Sequence, residues 1–266
     1  MIGAARGVAF AGMMLLAGSG FYAALLRRIG ITARLPGRVF VVAATLIATA
    51  AWTVLAAGAM AGAAPTSGIV QAAVTETLFG RLAILRLLLL LALFALRGSR
   101  ATALLAGIAL LSPAATSHAA ASSPAGFAAI GTVMDGVHLA AASFWIGGLA
   151  LLAALFARRE ARIVEALALF SDWAMVAVAL LTVTGMIDAV QILLGEHGAD
   201  APLYLTVLGV KLALVTTMLV LAAANRFRLM PKGGIAQVGR NAGFELALGL
   251  TAVMLAGWLG QLPPTR

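Results

Sequence analysis

The chain has 266 residues, of which 63% are hydrophobic and only 10% charged, and its mean hydropathy is +1.07. A typical soluble domain carries about 25% charged residues, and a chain this apolar cannot cover its surface in water, which excludes soluble enzymes, disordered chains and fibrous proteins. The composition is that of a polytopic helical membrane protein. The net charge is +9, from 18 Lys and Arg against 9 Asp and Glu. In a soluble protein that excess would suggest nucleic acid. Here the bases fall in short loops, where they set topology, and no nucleic-acid partner is expected. Cysteine is absent, so disulfides, thiolate metal sites and cysteine nucleophiles are ruled out.

A membrane helix needs roughly 20 apolar residues, and eight spans are legible, at about 7–26, 39–61, 80–97, 101–118, 127–156, 166–194, 203–226 and 241–262. The first could pass for a signal peptide, but Arg27 and Arg28 follow it directly, so it is expected to stay as a helix that starts outside. The third is short and carries Arg81 and Arg86 in its first half. The fourth has Pro113 near its end. The fifth and sixth exceed one straight crossing and are expected to tilt or project. The fold class is therefore all-α, one integral-membrane domain over residues 1–266 with no large loop to hold a soluble module.

Thirteen of the 18 basic residues lie in the first, third, fifth and seventh loops, from Arg27 to Arg240, and the sixth loop is acidic with Glu196 and Asp200. The positive-inside rule then puts both termini on the periplasmic side. Tyr22 and Trp173 fall near the inner interface and Tyr204 and Trp258 near the outer one, where aromatic belts are expected. The small residues Gly147, Gly148, Gly185, Gly209 and Gly257 are expected to let helices approach closely.

This topology gathers the polar residues. His118, His138 and His197 all fall on the outer side, with Met13, Met14, Met60, Met134 and Met186. Met134 and Asp135 precede His138 by four and three residues, spacings that share a helix face. Thioether and imidazole together suit copper, and Asp135 is placed to orient the ring or to bind a cupric ion itself. Methionine is also a common core filler. An ionisable group within a span is functional by default, which favours His138 over the interfacial His118 and the loop residue His197. Arg86 and Lys211 sit within spans and need partners, and Asp135 and Asp188 lie at comparable depth. Such pairs fix helix register or line an ion path.

The stretch DGVHLAAASFWIGGL from Asp135 to Leu149 resembles the signature of the copper resistance protein D (CopD) family. Thr184-Gly185, LGVKLALV around Lys211, AAANRFRLMP from Ala222, Glu245 in FELALGL and the closing LPP resemble the same family in order. Upstream, TLFGRLAILR from Thr77 and SHAAA from Ser117 also fit. The resemblance implies a multi-pass protein of the bacterial inner membrane that binds copper and takes it up or moves it, beside a separate periplasmic (CopC-like) carrier. His118, Asp135 and His138 match the family's polar positions, and Trp145 and Lys211 match too. The expected metal residues are thus His138, His118, Asp135 and Met134, with Arg86, Asp188, Lys211, Met186 and Trp145 as path or ion-pair residues. Two alternatives stay open. His118 and His138 would be the ligand pair of a b-type haem, and the same copper site would serve a delivery factor for a respiratory oxidase. No hydrolytic constellation and no phosphate loop is present in the sequence, so no enzymatic activity is expected.

Overall fold

The computed structural model describes residues 1–116, 125–194 and 201–262. His118 and His197 lie outside the described residues. The described chain is helical: α1 Ile2–Arg28, α2 Arg38–Ala61, α3 Ser67–Glu76, α4 Leu78–Ala95, α5 Ser99–Leu111 with a 3-10 turn Ser112–Thr116, α6 Ala125–Ala157, α7 Ile163–Leu194, α8 Ala201–Ala224 with a π turn Asn225–Leu229, and α9 Ile235–Leu259. Seven of these helices are long and apolar enough to cross a membrane, and Ser99–Ala115 is a shorter apolar segment. The eight-span reading therefore holds.

Boundaries shift where local chemistry overrides hydropathy. Helix α1 starts at Ile2, so Arg6 lies within it. Helix α3 occupies a stretch expected as loop. Thr66 caps it by accepting the Ile69 N–H at 3.4 Å. Thr77 closes it by donating to the Ala73 carbonyl at 2.6 Å, and opens α4 by accepting the Gly80 N–H at 3.0 Å. Helix α2 ends at Gly62, whose φ of +63° is the left-handed stop that glycine alone adopts cheaply.

Helix α1 is the hub and packs on α2, α5, α6 and α9. Its glycines allow this. A Cβ on Gly18 would overlap the Ser143 carbonyl of α6, and one on Gly257 of α9 would lie 2.6 Å from the Gly7 Cα. Gly147 and Gly257 are thus packing glycines as expected, but Gly209 has nothing within 4 Å of a modest side chain's first carbon.

The basic loops gather at one end of the bundle. Arg38 Nη2 donates to the Leu93 and Leu96 carbonyls at 2.7 Å, capping the end of α4. Arg162 Nη1 donates to the Ile29 carbonyl at 2.6 Å and pairs with Glu165. Tyr22 corrects an expectation. It is fully buried rather than interfacial, and its hydroxyl donates to the Ala166 carbonyl at 2.6 Å, stapling α1 to α7. A phenol buried in apolar surroundings needs such a partner.

Candidate functional site

Helices α7 and α8 do not pack closely along their lengths. Helix α7 leans on α6, α8 leans on α9, and α6 and α9 pack on each other. The result is a seam between α7 and α8, floored by α6 and α9. Polar residues line it at two levels.

The upper level, toward the arginine-poor end, holds His138 and Asp135 of α6, Thr184 and Asp188 of α7, and Lys211 of α8. His138 Nδ1 lies 2.7 Å from Thr184 Oγ1. The Thr184 hydroxyl spends its proton on the Leu180 carbonyl at 2.8 Å. Its oxygen is therefore the acceptor and His138 Nδ1 the donor. In the neutral ring that arrangement leaves Nε2 with its lone pair. Gly185 makes room for the ring: a Cβ there would stand 3.6 Å from His138 Cε1. The Lys211 charge acts on His138 and on Asp188, and Asp135 and Asp188 repel each other. Neither Lys211 nor these acids form an ion pair among the described residues.

The expected pairing of Arg86 with these acids is overturned. Arg86 is 1% exposed and lies on the other side of the bundle, stacked on Trp52 of α2 at 4.5 Å and Phe79 at 5.6 Å. All three guanidinium nitrogens lack a hydrogen-bond partner among the described residues. Its helix packs on α2, α3 and α5, and α1, α2 and α4 carry no acidic residue. Cation–π contact replaces the ion pair.

The methionines divide similarly. Met13 and Met14 are buried core, packed with Phe10 and Trp52. Met186, expected on the path, is 63% exposed and turned away from the seam. Met134 is half-buried one turn before His138. Among the described residues no three His, Asp or Glu side chains converge closely enough to hold a metal ion. The upper level is therefore a loose gathering of ligands, with His118 beyond what is described.

The lower level was not anticipated as a unit. A cavity of about 340 Å³ opens between α6, α7, α8 and α9, lined by Trp145, Phe170, Met175, Asn225, Met230 and Glu245 among others. Trp145 thus belongs here, two turns or about 10 Å along α6 from His138. Glu245 is 2% exposed. Asn225 Nδ2 donates to Glu245 Oε1 at 2.6 Å, Asn241 Nδ2 to Asn225 Oδ1 at 2.6 Å, and Gln237 Nε2 to Asn241 Oδ1 at 3.1 Å. Arg240 in turn donates to Gln237. At the mouth, Arg226 pairs with Asp172 at 3.1 Å and donates to Ser171 at 2.6 Å. The sequence signal for this level is a heptad on α8: Lys211, Met218 and Asn225 share one face and join the two levels.

Fold and site together define a multi-pass helical membrane protein with a polar seam between its C-terminal helices. Two family profiles match it, Copper resistance protein D-like, N-terminal domain, over residues 1–127 and Copper resistance protein D over residues 164–259. The chain belongs to the copper resistance protein D family. Residues 128–163, which carry His138 and Trp145, fall between the matched segments. A curated relative, Copper transport protein CutJ of Bacillus subtilis, is 31% identical over 159 residues, which is 58% of this chain and 29% of that protein. The aligned stretch thus spans less than a third of the relative's length. No solved structure matches the chain.

Proposed function

We propose that this protein receives copper at the periplasmic face of the bacterial cytoplasmic membrane and carries it into or across the bilayer through the α7–α8 seam. The reading rests on one observation above the others: Thr184 holds His138 in the tautomer whose Nε2 lone pair is free, within a seam that also contains two carboxylates. Family membership and the similarity to a copper transport protein support copper as the cargo. Met134, Asp135, Asp188 and, outside the described residues, His118 complete the ligand set at the outer level. Mixed imidazole, carboxylate and thioether donors accept either copper ion. Lys211 balances the two carboxylates and yields Asp188 to an arriving cation. With the arginine-rich loops in the cytoplasm, this level faces the periplasm, where a separate CopC-like carrier is the donor. The membrane potential draws the cation inward.

The test is copper content and absorption spectrum of the purified protein, with cellular copper accumulation, for wild type and His138→Ala. Bound copper and accumulation that both fall in the variant are expected. Unchanged copper at normal expression overturns the site, and a Soret band with iron makes the protein a haem carrier instead.

A further inference from the structure

We infer that Glu245 is a second, inner cation station, reached from the cavity between α7 and α8. This rests on the reading of the chain as a copper carrier and builds on the inner half, where the sequence shows few ligands: Met175 and Met218 as candidates, with Asp172 and Glu245 near the inner end.

Arg240, Gln237, Asn241 and Asn225 form a single file, and each donates to the next toward Glu245. The positive ends of the side-chain dipoles are therefore all aimed at one buried carboxylate. Only Oε1 receives a hydrogen bond among the described residues, and Glu245 lines the cavity wall. The Trp145 indole N–H lies near enough to interact with the carboxylate, without the geometry of a full hydrogen bond among the described residues. No lysine or arginine pairs with Glu245 among the described residues, since Arg226 is engaged by Asp172 and Ser171. A carboxylate buried within a bilayer span, supplied with oriented donors on one oxygen and lacking a counter-ion, is an arrangement that a cation completes.

The cavity chemistry selects the cation class. Met175 and Met230 line the same cavity as Glu245, which puts two thioether side chains and a carboxylate side chain on its walls. That donor set suits a soft monovalent cation, copper in its cuprous form. Met218 connects the levels. It is 3% exposed, lies two turns from Lys211 and two from Asn225 on one face of α8, and its methyl would stand 3.0 Å from a Cβ on Gly249, one turn beyond Glu245 on α9. Its thioether lies between the heights of the two levels along α8.

The experiment is anaerobic titration of the full-length protein in lipid nanodiscs with cuprous ion held by a chromophoric competitor. Wild type is expected to take two equivalents per chain. Glu245→Gln, which keeps the shape and the contact with Asn225, is expected to take one, and His138→Ala to lose the other. Met175→Leu conserves volume at a half-exposed position and is expected to weaken the Glu245-dependent equivalent about tenfold. It decides the question should Glu245→Gln fail to fold. Wild-type binding in both Glu245→Gln and Met175→Leu overturns the inner station and leaves the outer one intact. Loss of an equivalent in Glu245→Gln with none lost in His138→Ala overturns the outer site and keeps the inner one. A wild type that takes no copper overturns both.

Discussion

His138 Nδ1 of α6 lies 2.7 Å from Thr184 Oγ1 of α7, whose own proton goes to the Leu180 carbonyl, so the ring is held as a donor through Nδ1. The two residues are 46 positions apart, so the tautomer is a product of helix packing.

Thr184→Val keeps the shape of the side chain and removes the acceptor. Copper affinity is expected to fall about 10–100-fold, as for other removed orienting partners, measured by chelator competition on purified protein. Stability is expected to fall by only about 1 kcal/mol. Wild-type affinity in this variant would show that the imidazole needs no such support.

The α1–α6 contact tolerates no side chain at Gly18, where a Cβ meets backbone rather than a flexible group. Gly18→Val is expected to cost at least about 1–3 kcal/mol and to reduce folded yield in size-exclusion chromatography. Gly209→Ala, with nothing within 4 Å, is expected to elute and melt as wild type. Equal behaviour of the two variants would refute the close approach.

Arg86 is buried, and its three guanidinium nitrogens are unsatisfied among the described residues. Replacing a buried ionic group with an apolar side chain of similar length is often neutral or stabilising by about 1–4 kcal/mol. Arg86→Met is therefore expected to melt at or above the wild-type temperature, even after losing its stacking on Trp52. A lower melting temperature would mean that the stacking on Trp52 and Phe79 outweighs the desolvation of the guanidinium.

The orientation is tested with impermeant thiol labelling of single cysteines, since the native chain has none. A cysteine at Gly68 is expected to label from the periplasm and one at Lys232 only after lysis. The reverse pattern inverts the topology and moves the copper entry to the cytoplasm.

The bundle was legible in the sequence because hydropathy is a local property. Eight apolar segments and the loops that part them follow from residue type alone, and so do the in-span charges at Asp135, His138, Asp188 and Lys211. Asp135 and Asp188, at comparable depth in the sequence, lie on adjoining helices with His138 and Lys211 near them. Depth gives height in the membrane but says nothing of which side of the bundle a helix occupies. That is why Arg86, at a matching height, was assigned acids it never meets. Tyr22 was read as a belt residue for the same reason. Its distance from the span end is interfacial, but α1 is the central helix and its surroundings are protein. Thr66 and Thr77 carried a capping signal that hydropathy masked, and helix α3 followed from it.

Residue order by itself thus determined that this chain is a multi-pass helical bundle, which loops carry the bases, and which ionisable groups the membrane must accommodate. Tertiary structure alone decided their partners. Asn225, Asn241 and Glu245 become one hydrogen-bonded file only because α8 and α9 cross at that height, and the seam exists only because α7 and α8 stay apart. The physical reason is that desolvation of a polar group is set by its own position along the helix, whereas its compensation depends on the helix packed opposite.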